Sequence, residues 1–430
     1  MKIEDELMQI GEELRHLVVP QEALAQARIE GLQRAKRQRK KTIRIWSSLA
    51  FVALLMISFT LSIRLSPQFA QSMAKVPGVS LFVDIINTDK GVRDSIAHDY
   101  YEVLNVAQTK DNLTFTLQGI IADASGMVLN YKLTSSKPVQ NLTPQITILQ
   151  NGSPLSVSIG QSNGDHAIQY EVENLIHIVA PEGINYEHSD FELLVKIEHE
   201  METTFVLPFT LKKPVAKTKK IALNHEISFE GQKLIVEEIA ISPIRAKVTI
   251  RVPEDNTMRL LDIEKLQLID EGGEVWRSES AIRAHGSLDT GLVHYYLQSN
   301  FFRETKRLAL EIGEIQALPK GDDYVEIDLE HKKVTRIPKL VEADIRLEDD
   351  GIHVAMPVRK EGENTQLFSN VVDASGEMFY NVGFQFGFGE ELNRSIYRFD
   401  FEQMKSLIRL KIQNYTNYLQ GEEKIDININ

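Results

Sequence analysis

The chain reads as a mainly β protein carried on one N-terminal membrane helix, and three observations say so. From Asn112 onward apolar residues recur with a period of two, in short runs bounded by turn residues. These runs follow one order three times, with Lys-rich joints between the rounds. Ahead of them Ile45 to Ile63 is nineteen residues without a charge, preceded by a dense group of cations.

As a helix, those nineteen residues reach roughly 28 Å, close to the ~30 Å hydrocarbon core of a bilayer. Trp46 stands at one end, where indoles favour the interface. Ser47, Ser48, Ser58, Thr60 and Ser62 can bond preceding carbonyls and so do not forbid insertion. Arg34, Lys36, Arg37, Arg39, Lys40, Lys41 and Arg44 precede the run, whereas only Arg64 and Lys75 follow closely. These seven cations are the topology determinants: they hold the N-terminus in the cytoplasm and send the rest outside. Ser72-Met73-Ala74 has the small-x-small form of a signal-peptidase site, the competing expectation. A cleaved leader, however, would carry a basic region 44 residues long, unlike ordinary signal peptides.

Within residues 1–44, Ile3, Leu7, Ile10, Leu14 and Leu17 recur at alternating spacings of four and three, the apolar stripe of an amphipathic helix. Pro20 interrupts it, and "QEALAQARIEGLQRAKRQRKK" resumes helical composition up to the membrane. A stripe with no core of its own calls for a partner, whether a protein, the other helical segment or the inner leaflet. Residues 66–105 carry helical spacing around Phe69, Met73, Phe82 and Ile85, broken at Pro77-Gly78, and read as a membrane-proximal helical connector.

The three rounds each hold a strand–turn–strand: "NLTFTLQGIIADASGMVLNYKL" from 112, "QKLIVEEIAISPIRAKVTIRV" from 232 and "EADIRLEDDGIHVAMPV" from 342. Hairpin-like units follow: "QITILQNGSPLSV", "EKLQLIDEGGEVW" and "LFSNVVDASGEMFY". Asn151-Gly152 and Gly272-Gly273 are turn dipeptides, and Asp373 to Gly376 suits a slightly longer loop. Closing strand pairs come last: "FELLVKIEHEMETTFVLPFTL", "RLALEIGEIQALPKGDDYVEIDL" and "LIRLKIQNYTNYLQGEEKIDI". The joints "LKKPVAKTKK" (211–220) and "EHKKVTRIPK" (330–339) read as exposed linkers. The expected organisation is therefore a cytoplasmic helical segment at 1–44, a transmembrane helix at 45–65 and a connector at 66–105. Antiparallel β-sandwich modules then occupy 106–214, 221–330 and 338–430.

Charge and chemistry limit the function. The net charge is −13, but residues 1–44 carry +3 and the remainder −16, so the body is a poor holder of nucleic acid phosphates. There is no cysteine, which removes disulfides, thiolate nucleophiles and Cys-based zinc sites. The eleven His residues lack ligand spacing, and His188 and His199 read as solvated or structural. Ser72-Met73-Ala74-Lys75 matches a bare SxxK without its companion motifs. Asp322-Asp323 and Asp349-Asp350 read as solvated turns rather than calcium loops. The expectation is a protein that is not an enzyme and has no cofactor or metal.

The segments "VPQEALAQARIEGLQRAKRQRK" and "FAQSMAKVPGVSLFVDIINTDKGVRDSIAHDYYEVLNVAQTKDNLTFTLQGIIAD", about a fifth of the chain, resemble a family of uncharacterised single-span proteins from Gram-positive spore-forming bacteria. The resemblance implies an extracellular domain of unknown function followed by immunoglobulin-like modules. It also implies a membrane-anchored anti-sigma factor for extracytoplasmic-function sigma factors. The chain departs from the zinc-binding anti-sigma type, having His16 but no Cys.

The expected function is accordingly a single-pass regulator: the exterior senses a cell-wall or other extracellular ligand, while Ile3, Leu7, Ile10, Leu14 and Leu17 hold a cytoplasmic partner, a sigma factor by the resemblance. The alternative is a structural or adhesive envelope protein whose N-terminus is only an anchor. A third option is an extracellular ligand-binding or chaperone-like module.

Overall fold

Beyond Asn112 the period-two alternation is realised as antiparallel strands in the computed structural model, which describes Arg28 and residues 89–139, 144–161, 169–198, 202–278, 282–359 and 366–429. The chain divides into two units, Met1–Val83 and Asp84–Asn430. Of the first, Arg28 is helical and exposed. The apolar segment 45–65, the cytoplasmic stripe, the basic flank and most of the connector lie outside the described residues. Among the described residues no helix is long and apolar enough to cross a membrane.

The first described element of the second unit is helix α1 (Lys90–Ala97); of the connector expected at 66–105, residues 89–105 are described, and from Glu102 they already run in a strand. The first sandwich follows. One sheet orders β1 (Glu102–Lys110), β2 (Leu113–Asp123), β3 (Gly126–Val139), β7 (Gln169–Val179) and β6 (Ser158–Gln161). The other orders β5 (Ser153–Pro154), β4 (Gln145–Gln150), β8 (Asp190–Glu198) and β9 (Glu202–Thr210). Alternation dictates the packing: Leu113, Phe115 and Leu117 of β2 turn inward against Leu193 and Val195 of β8 and Phe205 and Leu207 of β9. The two-residue turn Asn151-Gly152 has positive φ at both positions (52° and 73°), the mirror-image geometry that right-twisted hairpins need.

The second sandwich repeats this wiring. One sheet orders β10 (Lys219–Phe229), β11 (Gln232–Ile241), β12 (Arg245–Arg251), β16 (Leu292–Gln298) and β15 (Ala284–Ser287). The facing sheet orders β14 (Val275–Arg277), β13 (Met258–Asp270), β17 (Arg307–Pro319) and β27 (Tyr418–Asn428). The third sandwich pairs β20 (Asp344–Glu348), β21 (Gly351–Pro357), β25 (Leu392–Arg398) and β24 (Gly383–Gly387) with a second sheet. That sheet orders β19 (Lys333–Arg336), β18 (Tyr324–Asp328), β26 (Ile408–Lys411), β22 (Asn370–Val372) and β23 (Met378–Tyr380).

Here the fold departs from the sequence reading. The closing segments 307–329 and 407–427 look like two local hairpins, as β8–β9 is. Instead β17 pairs with β27, Leu308 opposite Ile427 and Leu310 opposite Ile425. Strand β18 pairs with β26, Val325 opposite Leu410. The second and third sandwiches thus exchange their last strands. The physical reason is that both candidates carry the same alternation, so either satisfies either sheet; only the path of 320–323 decides. Arg259, at the base of β13, holds that path. It is 5% exposed, lies 2.7 Å from the Asp323 carboxylate, and donates to the Ile412 carbonyl beyond β26. Asp323 is therefore buried against an arginine, not the solvated turn residue its sequence suggested.

One further reading is corrected. The segment 330–339, taken for a linker, contains edge strand β19; its Lys332 pairs with Asp349 at 2.5 Å and Arg336 with Asp322 at 2.8 Å. The hairpin loops at Asp270 and Asp373 share one design. Each Asp Oδ1 accepts from the amides two and four residues on (2.9 and 2.8 Å; 2.8 and 3.1 Å).

Candidate functional site

One group of buried polar residues, Asp94, Ser95, Asp123, Ser242 and Arg245, lies where the first two sandwiches meet, and the construction starts at α1. Asp89 caps the helix, its carboxylate accepting from the Gly91 and Val92 amides at 2.9 and 3.1 Å. Beyond the cap the helix has little apolar surface to bury. It is held by contacts that only small or polar residues can make. Gly91 lies against the Ile244 carbonyl, where a Cβ would come within 2.1 Å of the oxygen. The Ser95 hydroxyl donates to the Pro243 carbonyl at 3.2 Å. Lys90 donates to the Val275 carbonyl at 2.8 Å and pairs with Glu274 at 3.1 Å, while Arg303 reaches Asp94 at 3.0 Å. All of these partners belong to the second sandwich, although α1 leads directly into the first.

The first sandwich grips the same turn from its own side. Asp123, at the end of β2, has no exposed surface. Its Oδ1 accepts from the Ser125 amide (2.8 Å) and hydroxyl (2.5 Å), and its Oδ2 accepts from the Ile244 amide at 2.7 Å. Arg245, 6% exposed, donates to the Ile178 carbonyl of β7 at 3.4 Å. Burial pushes the Asp123 carboxyl above the usual carboxylate range, against the pull of Arg245 and the donors around it. His177, on β7, is pushed down to about 4 by burial and by the Arg245 charge. The Tyr186 hydroxyl, facing the Asp123 (2.9 Å) and Gly126 (3.1 Å) carbonyls, ties the β7–β8 loop down over the joint. Ser242 to Arg245 is therefore a hub: α1, the first sandwich and the second all close on one four-residue turn.

Beside the hub runs a cleft of about 500 Å³. Its floor is the outer face of the β10–β16 sheet, and its roof is the loop 180–185 of the first sandwich. Lys220, Ala240, Lys247 and Tyr296 stand in one register row across β10, β11, β12 and β16. Among the described residues neither lysine has an ion pair or a hydrogen bond, and the Tyr296 hydroxyl has no hydrogen-bond partner. The hydroxyls of Thr218 and Ser242 meet at 2.8 Å on one wall, and Glu182 lines the roof.

Other chemistry lies in the third sandwich. Glu348, Asp350 and His353 offer three ligand atoms within 4.8 Å. That cluster is on the surface; His353 Nε2 already bonds Asp350 at 2.6 Å, with Arg398 3.9 Å away. The flank between edge strands β23 and β24 is apolar and open: Tyr380 is 68%, Val382 75% and Phe388 78% exposed, and Phe386 meets Phe388 edge-on at 4.4 Å.

The site residues expected from the sequence, Ile3, Leu7, Ile10, Leu14 and Leu17 with Arg34, Lys36, Arg37, Arg39, Lys40, Lys41 and Arg44, all lie outside the described residues. So do Ser72 to Lys75 and His199. His188 is exposed, and Asp349 and Asp350 are paired surface residues. Sequence reasoning missed the hub. One signal was present, the tetrapeptide Asp-Ala-Ser-Gly at 123–126 and again at 373–376. In both copies the Asp binds its own Ser, but the spare oxygen of Asp373 takes the Lys405 amide within its sandwich, whereas that of Asp123 reaches the next one.

Two family models match parts of the chain: a domain of unknown function, DUF4179, over residues 39–135, and a family of unknown function, DUF5643, over residues 218–347. The chain is similar to the crystal structure of the conserved domain protein from Bacillus anthracis, at 11% identity and a TM-score of 0.39, over 77% of this chain and 92% of that one. It is also similar to the cycloalternan-forming enzyme from Listeria monocytogenes in complex with a pentasaccharide substrate. The identity there is 10% and the TM-score 0.16, over 73% of this chain and 31% of that one. A comparison with curated proteins gives no match.

Proposed function

We propose that the chain is a single-pass membrane regulator whose β body senses the cell envelope from outside and whose residues 1–44 hold a cytoplasmic partner, a sigma factor. The observation that carries this reading is the hub at Ser242 to Arg245. Helix α1 is the first described element after the apolar segment; it leads into the first sandwich but is held on the second, at the turn that the first sandwich also grips. Because α1 is held on the second sandwich and joined by residues 98–101 to β1 of the first, a change in that joint bears on α1, which is continuous in sequence with the segment leading to residues 45–65. The basic flank on the N-terminal side supports the orientation. The strand order of the first sandwich supports the resemblance to immunoglobulin-like modules, with β2, β3, β7 and β6 facing β5, β4, β8 and β9.

The test uses the full chain purified from its own membranes. A sigma factor should co-purify, and Leu14→Asp should abolish it by putting a charge in the apolar stripe. Gly91→Ala should leave co-purification intact but cut the output off from envelope stress, because the added methyl cannot fit beneath the Ile244 carbonyl. Recovery of no sigma factor, or unchanged transcription in Leu14→Asp, sinks the reading.

The aromatic flank of the third sandwich favours a second reading, an adhesive or structural envelope protein. It requires that replacing residues 1–33, with the basic flank kept, leaves function intact.

A further inference from the structure

We infer that the cleft between the first and second sandwiches binds a phosphate-bearing ligand, recognised by Lys220, Lys247 and Tyr296. The role of that ligand as a signal rests on the sensor reading above; the binding itself does not. The argument begins with register. Lys220 pairs with Ala240, and Ala240 with Lys247, so the lysines stand two strands apart on one face, roughly 9.5 Å between Cα atoms. Ala240 between them has only a methyl group, so both ammonium groups can lean over the same spot. In a body with a net charge of −16, two neighbouring cations without a carboxylate partner among the described residues are out of keeping with their surroundings.

The third group is Tyr296, next in the row and only 2% exposed, its ring packed on Val179 and Ile282. Its hydroxyl lacks the partner that a buried phenol normally has. Two ammonium groups and an O–H make a wall of donors, with the Thr218 and Ser242 hydroxyls beside it. Such a wall suits an anion with three acceptor oxygens, and lysine serves phosphate as a point charge. The cleft, about 500 Å³, has room for more than the phosphate alone. Glu182 on the roof can accept from hydroxyl groups on the rest of the ligand. A ligand seated here touches both sandwiches beside the turn that holds α1, which is where binding would bear on the joint.

Binding is measured by calorimetry on the full-length protein in detergent, without any cytoplasmic partner, in 150 mM salt so that weak surface attraction is screened. The probes are inorganic phosphate and sn-glycerol 3-phosphate, with glycerol and sodium chloride as controls. Saturable binding of either phosphate probe is expected, and the tighter of the two tells free phosphate from a phosphate ester. Lys220→Met with Lys247→Met should weaken it by a factor of about 10 or more, the scale of a lost charge-assisted contact. Both positions are on the outer face, so folding is kept, and Tyr296→Phe, which keeps the ring, should weaken binding several-fold. No saturable binding, or binding undiminished in the double variant, overturns the assignment. That result leaves the sigma-factor test untouched, and a failed sigma-factor test leaves this one untouched.

Discussion

Replacing Ile427 by Ala tests the exchange of closing strands most directly. Ile427 is 2% exposed and lies opposite Leu308 in the core of the second sandwich, although by sequence it belongs to the third round. Removing its buried side chain costs about 2–5 kcal/mol, the transfer term plus the cavity left behind. At about 2–4 °C per kcal/mol for a region of this size, the loss is a fall in Tm of about 4–20 °C. The chain supplies its own reporter. Of its two tryptophans, Trp276 is fully buried on β14, in the same core as Ile427. In a Trp46→Phe background, Trp276 emission followed on heating should show the transition moving down. A Trp276 transition that stays in place while the third sandwich weakens refutes the exchange and restores the local hairpin. Chemistry gives an independent check, because the chain has no cysteine. Glu311→Cys with Lys424→Cys sits at a direct β17–β27 pair and should oxidise to a disulfide.

Two further outcomes concern the hub. His177, held near 4 against its ordinary 6.5, stays neutral in the fold but takes a proton when unfolded. Its contribution is complete above pH 6.5 and is lost as the pH falls toward 4, by up to about 3 kcal/mol. Asp123, raised by burial, acts in the opposite sense, favouring the fold at low pH. Urea midpoints at pH 7 and 4.5 should therefore differ less in His177→Gln than in the parent, and an identical difference contradicts this account. Tyr186→Phe removes the hydroxyl that faces the Asp123 and Gly126 carbonyls and should cost about 1–3 kcal/mol in thermal denaturation. A variant as stable as the parent shows that the loop is held by other means.

Much of the β body is legible from residues 112 onward because its causes are local. A period of two tells which side chains face inward, so Phe115, Leu193 and Val248 can be named as core from their neighbours alone. Turn chemistry is local too: Asn151-Gly152 and the Asp270 and Asp373 loops each satisfy their own backbone within a few residues. The apolar run 45–63 and its basic flank are equally local signals, and they are the whole basis for the membrane reading.

Which of several equivalent partners each group meets is set by packing between distant segments. Strands β18 and β27 have interchangeable alternation, so no window of sequence shows that they trade places; the burial of Arg259 against Asp323 and the Ile412 carbonyl belongs to that choice. The two Asp-Ala-Ser-Gly copies are identical as text, and only packing gives one of them the Ile244 amide of another sandwich. Lys220 and Lys247 are 27 residues apart and unremarkable by composition, until sheet register sets them on either side of Ala240. Periodicity is a property of one strand, whereas a joint is a property of surfaces brought together by the chain's path. For that reason the elements and their inward faces can be read along the chain, whereas the hub and the cleft exist only once the sandwiches are packed.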